Sequence, residues 1–217
     1  MENLSSRPVH GREGLGAVAR PIRVLPLPGI LVKAVPVLAF VALILATNYA
    51  LTRFPNVKLF DLLVFVAGYT LGVRRGVAVA GLSWLVYGTF NPFGPAGFPL
   101  LAVLMASETV YALAGGVVRR LLPPGRLSPT PGAKSLVLGG VAVLTTLAYD
   151  VLTNTYTGLA WASLAGSADY WRWVRVALFN PGALFFAAAH TASNLLFFTA
   201  FAPLLIKGVE RIRGGLR

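Results

Sequence analysis

KSLVLGGVAVLTTLAYDVLTNTYT, residues 134–157, is a long apolar run that carries a single carboxylate, Asp150. A helix needs about 20 mainly apolar residues to cross the hydrocarbon of a bilayer, and this run is long enough. A carboxylate within such a helix is costly unless it faces protein or a water-filled cavity. The stretch therefore predicts a membrane-crossing helix in a bundle with a polar interior.

The composition extends this interpretation to most of the chain. Of the 217 residues, 56% are hydrophobic and only 12% are charged, more apolar sequence than a soluble core of this size needs. We predict an all-α integral membrane protein, with a basic cytoplasmic arm at residues 1–33 and a six-helix membrane domain at 34–213. The six predicted crossings lie near residues 34–53, 59–73, 76–91, 98–118, 134–157 and 182–206.

The basic residues predict how these helices are oriented in the membrane. The formal net charge is +12, and fifteen of the 19 Lys and Arg residues fall on one side of the predicted bundle. Short loops rich in Lys and Arg stay in the cytoplasm, so both termini are predicted to be cytoplasmic. We interpret the positive charge as a marker of membrane topology, and we expect no nucleic-acid partner. The predicted outer side carries Arg53, Lys58, Arg172 and Arg175.

Polar side chains inside the predicted crossings are the candidate binding residues. Asp150 has the richest surroundings, because Thr146, Thr153, Asn154 and Thr157 follow the same helix face. Most of the candidates lie in the predicted outer halves of their helices, which indicates a polar cavity that opens outward. The predicted substrate-binding residues are Asn48, Trp84, Tyr87, Asn91, Glu108, Asp150, Asn154, His190 and Asn194.

Each of these residues also has an interpretation as a packing contact. Asn, Thr and His often form hydrogen bonds between membrane helices, worth about 0.6 kcal/mol on average. Glu108 could pair in this way with His190 or with another buried donor. Residues 158–181, which carry three tryptophans, are open to two interpretations, a helix on the outer membrane surface or a lid.

Several functional classes are disfavoured by what the sequence lacks. The chain has no cysteine, which excludes thiolate metal sites and a cysteine nucleophile. It has only two histidines, which excludes a multi-histidine metal site within one chain. It contains no Gly-x-x-x-x-Gly-Lys-[Ser/Thr], no His-Glu-x-x-His and no Gly-x-Ser-x-Gly. We therefore expect no metal, no cofactor and no catalysis. A protein that captures a small solute fits better, but it needs an energy source.

Several short stretches, taken in order, resemble the substrate-binding S components of energy-coupling factor (ECF) vitamin transporters. The resemblance covers about residues 34–213 and implies an S-component-like bundle of six crossings. The resembling stretches are Pro55-Asn56-Val57-Lys58-Leu59, Phe65-Val66-Ala67-Gly68-Tyr69, Gly72 to Gly76, Ser83-Trp84-Leu85-Val86-Tyr87, Asn91-Pro92-Phe93-Gly94, Gly115-Gly116-Val117-Val118-Arg119-Arg120, and Tyr149-Asp150 to Asn154.

This resemblance implies a division of labour in the cell membrane of a prokaryote. The S component binds its vitamin in the outer half, and the loop after the first crossing helps to close the site. A transmembrane coupling subunit and two cytoplasmic ABC ATPases supply motion and energy. In that family an Ala-x-x-x-Ala pattern on the first crossing meets the coupling subunit, and this chain offers Ala42, Ala46 and Ala50. Small residues four apart independently suit close helix contact.

Two alternatives come from other classes of protein. The His-x-x-x-Asn spacing of His190 and Asn194 is similar to one motif of the CPBP intramembrane proteases. That family's Glu-Glu-x-x-x-Arg motif and a second buried histidine are missing, so no base to activate water is evident. A non-catalytic membrane scaffold would explain the alanine-rich helices but not the convergence of polar side chains.

Overall fold

The computed structural model describes residues 29–130 and 132–215, with side chains from 34 to 214 apart from position 131. This part of the chain is all-helical and forms seven α-helices with one short 3-10 turn at Pro124–Arg126. The helices are α1 Gly29–Ala50, α2 Phe60–Leu71, α3 Val73–Thr89, α4 Phe98–Leu121, α5 Ala133–Leu164, α6 Tyr170–Phe179 and α7 Pro181–Gly215.

Three helices, α4, α5 and α7, are long and apolar enough to cross a membrane. The part of α1 from Ala34 and the whole of α2 are shorter apolar helices. These features are those of a membrane-embedded helical protein. Each of the six predicted crossings overlaps a helix, namely α1 to α5 and α7. The number of helices that cross a bilayer, and the sides on which the termini lie, stay predictions.

The predicted arm at 1–33 and the stretch 158–181 are not among the six predicted crossings. Most of the basic arm at 1–33 lies outside the described residues, and α1 begins at Gly29, within its last five positions. In the stretch 158–181, α6 forms a separate helix whose Val174 and Ala177 are buried. Gly158 of α5 allows this contact, because a Cβ there would lie 2.5 Å from the Val174 Cα. Trp171 and Phe179 of α6 remain exposed.

The central element of the bundle is α2, since every one of its residues is buried. It packs against α1, α3, α4 and α7. Glycines permit the closest approaches: a Cβ on Gly76 would lie 2.6 Å from the Gly68 Cα, and one on Gly115 would overlap the Phe65 carbonyl. Close backbone contact is typical of small residues between membrane helices.

The connection between α2 and α3 is a single residue. Gly72 alone separates α2 from α3, and its φ of 93° is one that L side chains rarely adopt. Arg74 and Arg75 already belong to the first turn of α3. The change of direction therefore needs a single glycine.

Two arginines cap the C-terminal end of α2. The last carbonyls of a helix have no intrahelical donors and need partners. Arg119 of α4 donates to the Tyr69 carbonyl at 3.0 Å and to Glu210 of α7 at 2.6 Å. Arg213 of α7 donates to the Thr70 carbonyl. These contacts tie α4 and α7 to this end of α2.

Candidate functional site

Two adjoining cavities open beside the loop 51–59, which precedes α2. The larger has a volume of about 750 Å³ and the smaller of about 330 Å³. Four residues line both cavities: Asn56, Lys58, Trp84 and Phe186. Volumes in this range are typical of sites for small organic ligands.

The larger cavity lies between the loop 51–59, α3 and the loop that follows α3. Three of the predicted binding residues, Asn48, Trp84 and Tyr87, line it. Asn91 lines neither cavity. Its side-chain oxygen instead accepts the Phe93 backbone N–H at 2.9 Å and shapes the turn after α3. Asn91 therefore has a local role in this structure.

The smaller cavity has one polar wall and one apolar wall. The polar wall comes from α5 and contains Asp150, Thr153 and Asn154. The Thr153 hydroxyl donates to the backbone of its own helix at 3.0 Å, so what it can offer a ligand is an acceptor. The apolar side includes Leu104, Ala183, Phe186 and Ala187, together with the indole of Trp84.

A buried hydrogen-bonded network lies beneath the polar wall. The two ring nitrogens of His190 lie 2.9 Å from Asp150 Oδ1 and 2.6 Å from Asp61 Oδ2. One imidazole thus bridges carboxylates of α5 and α2. Asn194, one turn further along α7, donates to the same Asp61 oxygen at 2.6 Å and to Thr146 Oγ1 at 2.8 Å. His190 and Asn194 thus both contact Asp61 Oδ2.

Lys58 supplies a buried positive charge above this network. Its Nζ lies 3.6 Å from Asp61 Oδ1 and between 5.0 and 5.8 Å from the ring centroids of Tyr149, Trp84 and Phe60. Burial alone would lower the pKa of Lys58, but the nearby carboxylates outweigh this and raise the pKa above its ordinary value of 10.5. Lys58 therefore stays charged at neutral pH.

Glu108 holds the indole of Trp84 in place. Its Oε2 accepts the indole N–H at 3.0 Å, and its side chain is fully buried. The suggested pairing of Glu108 with another buried donor is met by Trp84 and not by His190. Glu108 lines neither cavity, so it acts on the site through the orientation of the indole.

Acceptor atoms outnumber donors in this site. Among the described residues, the carboxylates of Asp61 and Asp150 lie against Lys58 and His190, and the third acidic side chain, Glu108, is bonded to Trp84. Four buried oxygens of this site have no hydrogen-bond partner among the described residues: Asp61 Oδ1, Glu108 Oε1, Asp150 Oδ2 and Asn194 Oδ1. Such atoms are costly to bury unless a donor reaches them. Of these four residues Asp150 lines a cavity, so its Oδ2 is the atom that suits an N–H or O–H donor of a ligand.

Sequence reasoning misses Asp61 and Lys58, although Asp61 lies within the predicted crossing 59–73. An acidic residue in the first turn of a helix is readily interpreted as a partner of the helix dipole. The sequence does contain one indication of this pair. Lys58 and Asp61 are three residues apart, a spacing at which oppositely charged side chains can pair.

No protein-family model, curated protein or solved structure matches this chain. Within the described residues, no group of three His, Asp or Glu side chains is placed to hold a metal ion. Function therefore has to be inferred from the cavities and from the side chains that line them.

Proposed function

We propose that this chain is the substrate-binding S component of an ECF-type importer, which captures a vitamin or related micronutrient from outside the cell. The observation that carries the proposal is the pair of cavities beside the loop 51–59, lined by aromatic rings and by Lys58, with Asp150 of the buried polar network in the wall of the smaller one. The mixture of apolar walls with a few oriented polar groups is typical of small-molecule sites. The loop between the first two helices borders both cavities, as the resemblance implies.

The proposed topology supports an outward-facing site. With six crossings and both termini in the cytoplasm, the loops 51–59 and 90–97 lie outside, and both cavities border the first of these loops. The Arg119–Glu210–Arg213 cluster then lies at the cytoplasmic end. A solute would reach the site from outside without passing through the bundle.

The proposed partners are a transmembrane coupling subunit and two cytoplasmic ABC ATPases. Ala42, Ala46 and Ala50 are exposed on α1, so a helix of another subunit can approach its backbone closely. The chain itself is proposed to be non-catalytic. Both ring nitrogens of His190 already face carboxylates, which leaves neither free to take a proton from water as an intramembrane protease requires.

Native mass spectrometry of the full chain, purified in mild detergent, tests this proposal. We expect one small molecule per protein, either retained from the host or captured from a mixture of B vitamins. Heat-denatured protein, taken through the same exchange into the mixture, is the control for adsorption to the micelle. A folded protein that retains and captures nothing would contradict the proposal.

A further inference from the structure

We infer that the smaller cavity binds a flat nitrogen heterocycle through two N–H donors on one edge of the ring, as in a 2,4-diaminopyrimidine. The inference rests on the proposed function and specifies the chemical class of its substrate. Three features of the smaller cavity support it: two acceptors on α5, an oriented aromatic wall, and a cation at the junction with the larger cavity.

The first feature is a pair of acceptors on one face of α5. Asp150 Oδ2 is buried and has no partner among the described residues, while Oδ1 is held by His190 at 2.9 Å. The carboxylate is therefore fixed with one oxygen free. The Asn154 amide, one turn further on, lines the same cavity and makes no hydrogen bond to the described residues. Side chains four apart on a helix lie about 5–6 Å from each other and can meet one ligand edge.

The chemistry of these acceptors selects donors. A carboxylate in a cavity of low polarity repels an anionic group, and it is costly to bury without a donor. An N–H directed at Asp150 Oδ2 makes a charge-assisted hydrogen bond, stronger than a neutral one. A second N–H on the same edge of the ligand reaches the Asn154 amide oxygen. The preferred ligand edge therefore carries two N–H groups.

The apolar side of the cavity selects a flat ring. Trp84 lines the cavity with Leu104 and Phe186, and the bond to Glu108 fixes the indole plane before any ligand arrives. An aromatic ring beside this indole gains stacking without the loss of side-chain freedom that a mobile tryptophan would suffer. The volume of about 330 Å³ suits one small ring system.

Lys58 favours a hydrogen-bond acceptor on the part of the ligand that lies away from Asp150. Its ammonium lines both cavities, so a substituent that extends from the smaller cavity into the larger one passes it. Lys58 has donors and no acceptor. A carbonyl, hydroxyl or carboxylate on this substituent would be stabilised there, away from Asp150.

A matched pair of probes tests the inference on the full chain in detergent, after removal of any retained molecule. The probes are 2,4-diaminopyrimidine, which has N–H donors, and 2,4-dimethoxypyrimidine, which has a similar shape and none. We expect ligand-observed NMR titration to show at least tenfold tighter binding of the diamino probe. Equal affinity for the two probes, or tighter binding of the dimethoxy probe, would overturn the inference.

Asp150→Asn tests the role of the carboxylate, with Asp169→Asn as the matched control. In Asp150→Asn the amide can turn an N–H toward the cavity, so we expect the preference for the diamino probe to fall at least tenfold. Asp169 lies at the exposed start of α6, where Asn also caps a helix, and its replacement should change nothing. An unchanged preference in Asp150→Asn would overturn the inference.

A second variant covers the case in which Asp150→Asn does not fold. Asn154→Leu removes the other acceptor from a half-buried position and should also reduce the preference for the diamino probe. If folded wild-type protein captures a vitamin but not the diamino probe, the substrate class is wrong and the proposed function stands. If it captures no small molecule at all, the proposed function fails as well.

Discussion

Lys58 is the residue on which the charge balance of the site depends most. Its ammonium lies 3.6 Å from Asp61 Oδ1, the oxygen of this fully buried side chain that has no hydrogen-bond partner among the described residues. We expect Lys58→Met to lower the free energy of unfolding by about 3 kcal/mol, because Asp61 and Asp150 would then have His190 as their one shared cationic partner among the described residues. Unfolding in mixed detergent micelles measures this loss.

Two further variants give this prediction its controls. Lys134→Met removes an exposed lysine and should change stability by less than about 0.5 kcal/mol. Adding Asp61→Asn to Lys58→Met should recover part of the loss, since the carboxylate no longer lacks its cation. Equal effects of the two lysine variants would contradict the prediction.

The pKa of Lys58 also predicts a pH dependence. Since the folded pKa is raised above the ordinary value of 10.5, the stabilising contribution of Lys58 is fully present below that value. It is lost as the pH rises through the folded pKa. Between pH 7 and 9, wild-type and Lys58→Met protein should therefore differ by a constant free energy, which unfolding at several pH values measures. A difference that fades across this range would contradict the assignment.

Trp84 offers a second test at the same scale. Trp84→Phe keeps an aromatic ring but removes the only hydrogen bond to Glu108 among the described residues. We expect a loss of about 1–3 kcal/mol from the unsatisfied carboxyl group. Trp171→Phe, at an exposed tryptophan, is the matched control. Full stability of Trp84→Phe would mean that Glu108 does not depend on the indole.

For single residues, the sequence indicates which polar side chains lie inside the bundle better than it indicates their hydrogen-bond partners. Asp150 and His190 stand out because polar side chains are rare inside apolar runs. Their contact joins residues 40 positions apart on different helices, which no local pattern encodes. Asn91 is predicted to bind substrate because it is a polar residue at the end of a crossing. Its side chain instead accepts a hydrogen bond from the backbone of the local turn.

Among the elements, α2 is held by glycines that let α3 and α4 reach its backbone. We expect Gly115→Ala to destabilise the protein by about 1–3 kcal/mol, because the added methyl group would overlap the backbone of α2 at Phe65 and Tyr69. Gly140→Ala on α5 is the matched control, since nothing lies within 4 Å of its added Cβ. Thermal unfolding of both variants measures the difference, and equal midpoints would refute the close contact.

The approximate positions of the six helices α1 to α5 and α7 are predictable from sequence, because hydrophobic length is a local property. The position of α2 at the centre of the bundle is not predictable from sequence. All twelve residues of α2 are buried, but a helix with a single buried face can have a similar hydropathy. The single-residue break at Gly72 also depends on packing, since Arg74 and Arg75 would fit a longer loop equally well by composition.

For the molecule as a whole, the proposed topology makes a direct prediction. The chain has no cysteine, so single cysteines can be introduced without a background signal. In intact cells we expect a membrane-impermeant maleimide to label Ala168→Cys, in the loop before α6, but not Ser128→Cys, between α4 and α5. Both positions are exposed. Permeabilised cells, in which both should be labelled, are the control, and the reverse pattern in intact cells would invert the orientation.

The polar wall of the smaller cavity has a consequence for how such a protein can diverge. Its three polar residues, Asp150, Thr153 and Asn154, all lie on one face of α5. Asp150 is linked to Asp61 of α2 through His190, whereas the Thr153 hydroxyl donates within α5 and Asn154 makes no hydrogen bond to the described residues. Substitutions of Thr153 and Asn154 can therefore alter the cavity wall with little change to the packing around α2. Under the proposed function, gene duplicates of such a chain would change their substrate through a few substitutions along one helix.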